Sequence, residues 1–289
     1  MRRRVMKGTT PLAARTVVAG LIGLAVAAVM AEAPKQAPLP RLRWPVAVIA
    51  HRAGAGVAPE NTLAAIREAI RLKVDYVEID VRATSDGALV IMHDSSVDRT
   101  TNGHGKVSEL TLAEVRSLRV ANAFGPAFDG QKVPTLDEAL EACRGKVNVY
   151  LDHKDGDTGK VLAAVRKHRM ERRVVVYNGV DGVREWKRRA PGIPVMPSLP
   201  GEFRRPGGVA AFLAACPAEV LDGHVITWSR ELVDDAHAAG SMVYVDVMGP
   251  TDTPEGYAAA MALGVDGLQT DHPERLIAYL RDHRRNTVR

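Results

Sequence analysis

Ionisable residues collect at the ends of four β-rich runs. The run 45–49 leads to His51-Arg52, the run 76–81 carries Glu78-Ile79-Asp80, the run 88–92 precedes His93-Asp94, and the run 147–151 precedes Asp152-His153-Lys154. Side chains two apart on an extended strand share a face, so Glu78 and Asp80 point the same way. Asp152 and Lys154 do likewise, with His153 opposite. Three carboxylates gathered at one mouth repel strongly, and one divalent hard cation with oxygen ligands, Mg²⁺ or Ca²⁺, relieves that repulsion most directly. Two histidines and two fixed cations beside it suit an anionic substrate whose leaving group needs a proton. Phosphodiester cleavage uses all of these parts. The metal and Arg52 or Lys154 offset charge on the phosphoryl oxygens, one imidazole activates the attacker, and the other protonates the departing oxygen. Each signal alone has a plainer structural explanation: a strand-end histidine satisfied in the core, a Glu-x-Asp pair on a solvated edge, an Asp capping the next helix. Their coincidence at four successive strand ends favours a site, because burying five or six such groups to no purpose is costly.

The elements that must position these residues alternate. Further β-rich runs follow at 174–177, 194–196, 220–226, 242–247 and 267–270, making nine in all, with helical stretches between most of them. Asn61 or Thr62 opens a helix with an apolar face of Leu63, Ile66 and Ile70. Thr111 with Glu114, and Thr135 with Glu138, form capping boxes, and Pro254 and Pro273 stand at first-turn positions. Strand–helix alternation over this length predicts a parallel sheet, and about eight units predict an α/β fold closed into a (β/α)₈ TIM barrel. One of the nine runs is then a short edge piece.

His51-Arg52-Ala53-Gly54 is followed by Pro59-Glu60-Asn61-Thr62, Glu78-Ile79-Asp80-Val81, Thr84-Ser85-Asp86-Gly87, His93-Asp94 and Arg99-Thr100-Thr101-Asn102-Gly103. In order and spacing this series resembles the glycerophosphodiester phosphodiesterase family. The blocks Val133-Pro134-Thr135-Leu136-Asp137-Glu138-Ala139-Leu140, Gly264-Val265-Asp266-Gly267 and Thr270-Asp271-His272-Pro273 extend it. The resemblance is dense over 46–154, sparse over 155–240, and clear again to Pro273. It implies a TIM barrel with an insertion after the third strand, here about 95–131, a single divalent metal, and hydrolysis of deacylated phospholipids to glycerol 3-phosphate and an alcohol. It further implies His51 and His93 as the acid/base pair, Glu78 and Asp80 as metal ligands, and Arg52 as a phosphate contact. Glu60 and Asn61 would support the mouth.

The chain departs from that pattern at three places. Asp152 stands where the family has Glu, which puts a third metal ligand one methylene short and predicts weaker or water-bridged binding, or a preference for the more flexible coordination of Ca²⁺. Ala53 replaces a usual Gly, which questions how closely the loop approaches phosphate. Asp246, in Tyr244-Val245-Asp246-Val247, replaces a usual Asn; it reads first as a structural or capping residue and second as a feature favouring a cationic head group such as choline or ethanolamine. Two other functions stay open: a sphingomyelinase D or lysophospholipase D-like phosphodiesterase, and an exported binding protein that keeps the barrel without turnover.

The chain of 289 residues is 46% hydrophobic and 25% charged, enough for a buried core and unlike a disordered protein. Residues 1–33 read as an export signal of the Sec or twin-arginine type: Arg2, Arg3, Arg4, Lys7 and Arg15, then an uncharged stretch over 17–30, then Ala31-Glu32-Ala33 at a cleavage site. Residues 34–44 read as a linker and 45–289 as the barrel. A periplasmic or secreted protein is expected, with a signal-anchored one as the alternative, because the apolar stretch is short for a membrane span. The five cations against Glu32 give the signal +4 of the chain's +5, leaving a nearly neutral remainder. With aromatics at only 4%, that balance argues against nucleic acid and for a small-molecule partner. Cys143 and Cys216 are expected as two buried thiols; oligomeric state is not legible.

Overall fold

A computed structural model of the protein describes residues 37–286, so the expected export signal lies outside the described residues. The chain runs β1 (Ala47–Ala50), α1 (Leu63–Leu72), β2 (Tyr76–Ala83), β3 (Leu89–Ile91), α2 (Leu112–Ser117), α3 (Leu136–Cys143), β4 (Asn148–His153) and α4 (Thr158–Lys167). It continues β5 (Val174–Tyr177), α5 (Val180–Arg189), β6 (Val195–Met196), α6 (Gly208–Ala215), β7 (Val220–His224), α7 (Arg230–Ala238), β8 (Met242–Asp246), α8 (Pro254–Ala262), β9 (Gly267–Thr270) and α9 (Pro273–Asn286).

Eight of the strands are parallel, in the order β6-β5-β4-β2-β1-β9-β8-β7. The ring is completed between its ends where Asp222 N donates to Pro197 O at 3.0 Å and Leu199 N to Asp222 O at 3.2 Å. This is the expected TIM barrel. The surplus run is β3, which pairs antiparallel with β2, Val81 against Ile91 and Ala83 against Leu89. His93 therefore does not end a barrel strand; it lies on the returning arm of a hairpin that comes back to the level of Asp80, where Met92 N donates to Asp80 O at 2.9 Å. The insertion follows, and its Val97, Val107 and Val115 pack in an apolar cluster with Val90, Met92 and Val133 from the segments that flank it.

Strand parity divides the interior. Val77, Ile79, Val81, Val149 and Leu151 face outward into the shell between strands and helices, whereas Ala47, Ile49, Tyr76, Tyr150, Val175, Met196, Val220 and Tyr244 fill the barrel's axis. Gly267 leaves room there: a Cβ would stand 2.5 Å from the Tyr244 ring. Residues 37–44, expected as linker, are bound to the barrel. Leu39 packs on the axial cluster, Arg43 N donates to Asp75 Oδ1 at 2.5 Å, and Ala37 N to Glu219 Oε1 at 2.9 Å.

The predicted caps form. Thr62 accepts from Ala65 N, Thr111 with Glu114 and Thr135 with Glu138 close full capping boxes, and Pro254 and Pro273 open α8 and α9. Cys143 and Cys216 are both buried and free. Among the described residues no helix is long and apolar enough to cross a membrane.

Candidate active site

Going up the barrel axis, the apolar and aromatic layers give way to carboxylates. Alternation on β2 turns Glu78 and Asp80 into the barrel, and the register sets Asp80 beside Asp152 of β4. Ligand oxygens of Glu78, Asp80 and Asp152 all lie within 4.8 Å of one another, and all three residues are buried. Oxygens bonded to one cation at about 2.4 Å lie no more than about 4.8 Å apart, so this spacing is of the order that a single ion bridges. The shorter Asp152 therefore still joins the cluster. Burial and the charges of Asp80 and Asp152 push the Glu78 carboxyl well up, and burial pushes Asp152 up to about 6 against the pull of Lys154. Such a donor set, hard, anionic and costly to ionise alone, fits a divalent cation.

Lys154 Nζ lies 2.5 Å from Asp152 Oδ2 and 3.2 Å from Asp80 Oδ1, so its charge is shared with the cluster. His153 faces outward as parity predicts, where Nδ1 accepts from Trp186 Nε1 at 3.1 Å. Asn61 bonds Asp80 twice, Nδ2 to Oδ2 at 2.7 Å and Oδ1 from Asp80 N at 3.3 Å, which fixes that carboxylate's rotamer.

Both candidate histidines are oriented the same way. His51 Nδ1 meets Asp271 Oδ1 at 2.7 Å, and His93 Nδ1 meets Asp94 Oδ1 at 2.8 Å. A carboxylate on Nδ1 places the proton there in the neutral imidazole and turns Nε2 toward the cavity as the reactive nitrogen. Burial raises the Asp271 carboxyl, yet the His51 hydrogen bond and charge hold it below its ordinary value. Asp271 is itself set by buried Asp252, which accepts from Asp271 N at 3.0 Å and from Thr270 Oγ1 at 2.6 Å. Gly56 lets the first loop pass this turn, donating N–H to Asp271 O at 2.9 Å; a Cβ there would stand 2.4 Å from the His272 ring.

Arg52 and Ala53 have φ of 46° and 67°, a left-handed turn that L side chains rarely adopt. The turn delivers Arg52 N to Glu78 Oε2 at 2.5 Å. Ala53 holds this conformation without a glycine. Glu60 binds Arg52 Nη1 at 3.1 Å and receives a two-pronged bond from Arg99, both prongs 2.8 Å. Arg99 also grips Asp94, Nε to Oδ2 at 2.7 Å and Nη2 to Oδ1 at 2.9 Å, so one guanidinium ties the His93 partner to the Arg52 partner. Arg99's hydrogen bond holds Asp94 well below the usual carboxylate range. Burial raises Glu60, but its bonds to Arg99 and Arg52 more than reverse this. Arg52 Nε is buried with no hydrogen-bond partner, an N–H donor left for an anion.

A cavity of about 240 Å³ joins these groups. His51, Arg52, Glu78, Asp80, His93, Asp152 and Lys154 border it on the β1–β2–β4 half, and Tyr150, Tyr177, Asp222, Asp246, Met248 and Gln269 complete it. The structure thus brings every sequence-predicted site residue to one mouth, with Glu60 and Asn61 just behind it. Sequence reasoning missed the roles of Asp94, Arg99 and Asp271 inside quoted motifs, and missed Asp222 and Gln269 altogether. Odd–even parity with Val220 and Gly267 was the signal that places the last two on the axis.

The glycerophosphoryl diester phosphodiesterase family model matches residues 51–275. A glycerophosphodiester phosphodiesterase of Caldanaerobacter subterraneus subsp. tengcongensis is 34% identical over 245 residues, covering 81% of this chain and 97% of that relative. Among solved structures, a glycerophosphodiester phosphodiesterase from Agrobacterium tumefaciens superposes with a TM-score of 0.70 at 29% identity, covering 80% of this chain and 99% of that one. An Oleispira antarctica phosphodiesterase in complex with the product sn-glycerol-3-phosphate superposes with a TM-score of 0.69 at 26% identity, covering 84% of this chain and 97% of that one. With the family's model spanning most of the sequence and the same barrel beneath it, the chain belongs to the glycerophosphoryl diester phosphodiesterase family.

Proposed function

We propose that the chain is a metal-dependent phosphodiesterase that hydrolyses glycerophosphodiesters to glycerol 3-phosphate and an alcohol. One observation carries this reading: two carboxylate-oriented imidazoles and a buried three-carboxylate cluster border one small cavity. Glu78, Asp80 and Asp152 would hold the divalent cation, which when bound would offset charge on the phosphoryl oxygens. Arg52 contributes its unpartnered Nε–H to the same oxygens, and Lys154 adds positive charge beside them. His51, held by Asp271, takes the proton of the attacking oxygen. His93, held by Asp94, gives its proton to the departing alcohol oxygen. Both transfers use Nε2, so neither carboxylate needs to move.

The finer assignments follow from the same residues. Ca²⁺ suits the cluster better than Mg²⁺, because the short Asp152 asks for adaptable coordination rather than a strict octahedron. A cavity of about 240 Å³ suits a free water-soluble diester. Action outside the cytoplasm is supported by the signal-like residues 1–33 and their small-x-small end. The decisive experiment is enzyme-coupled detection of glycerol 3-phosphate after EDTA treatment and readdition of single cations. Release restored by Ca²⁺ bears out the reading; release that survives chelation refutes metal dependence, and none under any cation refutes the hydrolase. Cleavage after Ala33 with appearance in the periplasm or medium, read by N-terminal sequencing, tests the export assignment.

A further inference from the structure

The half of the mouth opposite the metal cluster is built from acceptors. Register sets Asp246 beside Gln269 and His224, and strand parity turns Asp222, Asp246 and Gln269 together onto the barrel axis. All three border the cavity. The hydrogen bonds that reach the two carboxylates come from neutral donors: Tyr150 Oη to Asp222 Oδ1 at 3.4 Å, Ser198 Oγ to Asp222 Oδ2 at 3.2 Å, and Gln269 Nε2 to Asp246 Oδ1 at 2.9 Å. Gln269 is 6% exposed, and its Oε1 is buried with no hydrogen-bond partner. A buried amide oxygen without a donor is costly unless a ligand supplies one.

The fixed cations of the mouth are engaged elsewhere, Arg52 on Glu60 and Lys154 on Asp80 and Asp152. The cations that act on Asp246 are the imidazoles of His51 and His224 and the ammonium of Lys154. Burial pushes both wall carboxyls up, and the charge of Asp246 adds to it at Asp222, which is raised well above its ordinary value. Thus neutral donors alone bond the two carboxylates, and Gln269 Oε1 has no donor. A diol supplies donors without charge. A quaternary ammonium supplies charge without N–H. A primary ammonium supplies both, with three N–H groups for three acceptor residues.

We propose that Asp222, Asp246 and Gln269 form a subsite for a primary ammonium on the alcohol arm of the substrate, so that diesters of 2-amino alcohols are preferred. The inference rests on the hydrolase reading above: the phosphate lies at the metal half, and the alcohol arm crosses the cavity to this wall. A site built to bond N–H groups rejects analogues lacking them, because its acceptors are then left buried and unpaired.

The test compares kcat/KM for glycerophosphoethanolamine, glycerophosphocholine and glycerophosphoglycerol in wild type, Asp246→Asn and Asp222→Asn. Wild type is expected to favour the ethanolamine diester over both others by about tenfold or more, and either variant to shrink that ratio by a similar factor. Ratios taken on one preparation do not depend on how much of it is folded. Inhibition by ethanolamine but not by ethylene glycol, weakened in Asp246→Asn, supplies a binding readout. Equal rates on all three diesters, or an ethanolamine preference unchanged in both variants, overturns the subsite while leaving hydrolysis intact. No glycerol 3-phosphate from any of the three diesters overturns the hydrolase reading first.

Discussion

The two halves of the barrel mouth are held in opposite ways. On the β1–β2–β4 half almost every charged group is tied down before substrate arrives: Asp271 on His51, Asp94 on His93, Arg99 across Asp94 and Glu60, and Asn61 on Asp80. On the β7–β8–β9 half, Asp222 and Asp246 receive only neutral donors and Gln269 Oε1 receives none. Groups that move protons or hold a metal need fixed geometry, which a network of charged bonds supplies at no cost during turnover. Groups that read a ligand must keep capacity for it. Substitutions on the tied half should therefore reduce turnover for every substrate, whereas those on the acceptor wall should change which substrate is favoured.

The largest break in that contrast comes from the imidazoles. His51→Ala and His93→Ala should each lower kcat by on the order of 10²–10⁴-fold on all diesters, the range for a lost proton-transfer group. Near-wild-type turnover in either variant would remove that residue from the reaction. Asp271→Asn follows at on the order of 10²-fold or more, because an amide presents its NH₂ to Nδ1 and selects the wrong tautomer. Its signature is a loss in kcat shared equally by all diesters, with KM little changed. A loss confined to one head group would place Asp271 with substrate recognition instead.

A middle-sized effect concerns protons and metal. Asp152 is raised to about 6 by burial, and Glu78 is raised well above its ordinary value by burial and its acidic neighbours. Raised carboxylates favour the protonated form, so ionising them as pH rises through about 6 destabilises the metal-free protein, and a bound cation offsets this. Apparent metal affinity should thus climb with pH, about tenfold per unit for each proton displaced. Calorimetry in buffers of different ionisation enthalpy would register the released protons. Affinity flat from pH 5 to 8 would show that the three oxygens do not meet at one ion.

The order in which these residues became legible is itself physical. Period-two spacing exposes Glu78 and Asp80, and local chemistry exposes the caps at Thr62, Thr111 and Thr135, because those signals lie within four residues of each other. The strands at Val174–Tyr177 and Gly267–Thr270 match their expected bounds for the same reason. The direction of β3 is not written locally, since Leu89-Val90-Ile91 is equally apolar either way, so His93 was assigned to a barrel strand that it does not end. Partners distant along the chain are hidden altogether. His51 and Asp271 are 220 residues apart, and Glu60 and Arg99 are 39 apart. Asp222 has no motif around it; alternation shows that it shares a face with Val220, and the closed ring shows that this face is the axis.

Glu60 gives a smaller test of the tied half. Its folded pKa is depressed despite burial, by Arg99 and Arg52, so the stability it contributes is present above its unfolded pKa and lost as pH falls through the folded one. Glu60→Gln should cost about 1–2 kcal/mol at pH 7, a typical loss for charge-assisted bonds. The gap in Tm between wild type and variant should narrow as pH falls below the ordinary glutamate range and wild type loses the same charge. A gap independent of pH would mean that packing, not the Arg52–Glu60–Arg99 link, is what the substitution removes.

The smallest effect is expected at Ala53, where two opposing terms of similar size meet. Its φ of 67° is left-handed, and replacing Ala by Gly there relieves about 1 kcal/mol of steric strain. The same side chain is fully buried against the outer shell, and removing its methyl forfeits about 0.8 kcal/mol of burial, with about 0.5–1 kcal/mol more lost to glycine's freedom in the unfolded chain. Ala53→Gly should therefore leave stability within about 1 kcal/mol of wild type, and because Arg52 N still reaches Glu78, kcat/KM should change by no more than about threefold. A gain well above this in denaturant midpoint would show that the turn is strained where it presents Arg52 to phosphate. A loss well above it would make the methyl a packing anchor, and would explain why this left-handed position carries alanine rather than glycine.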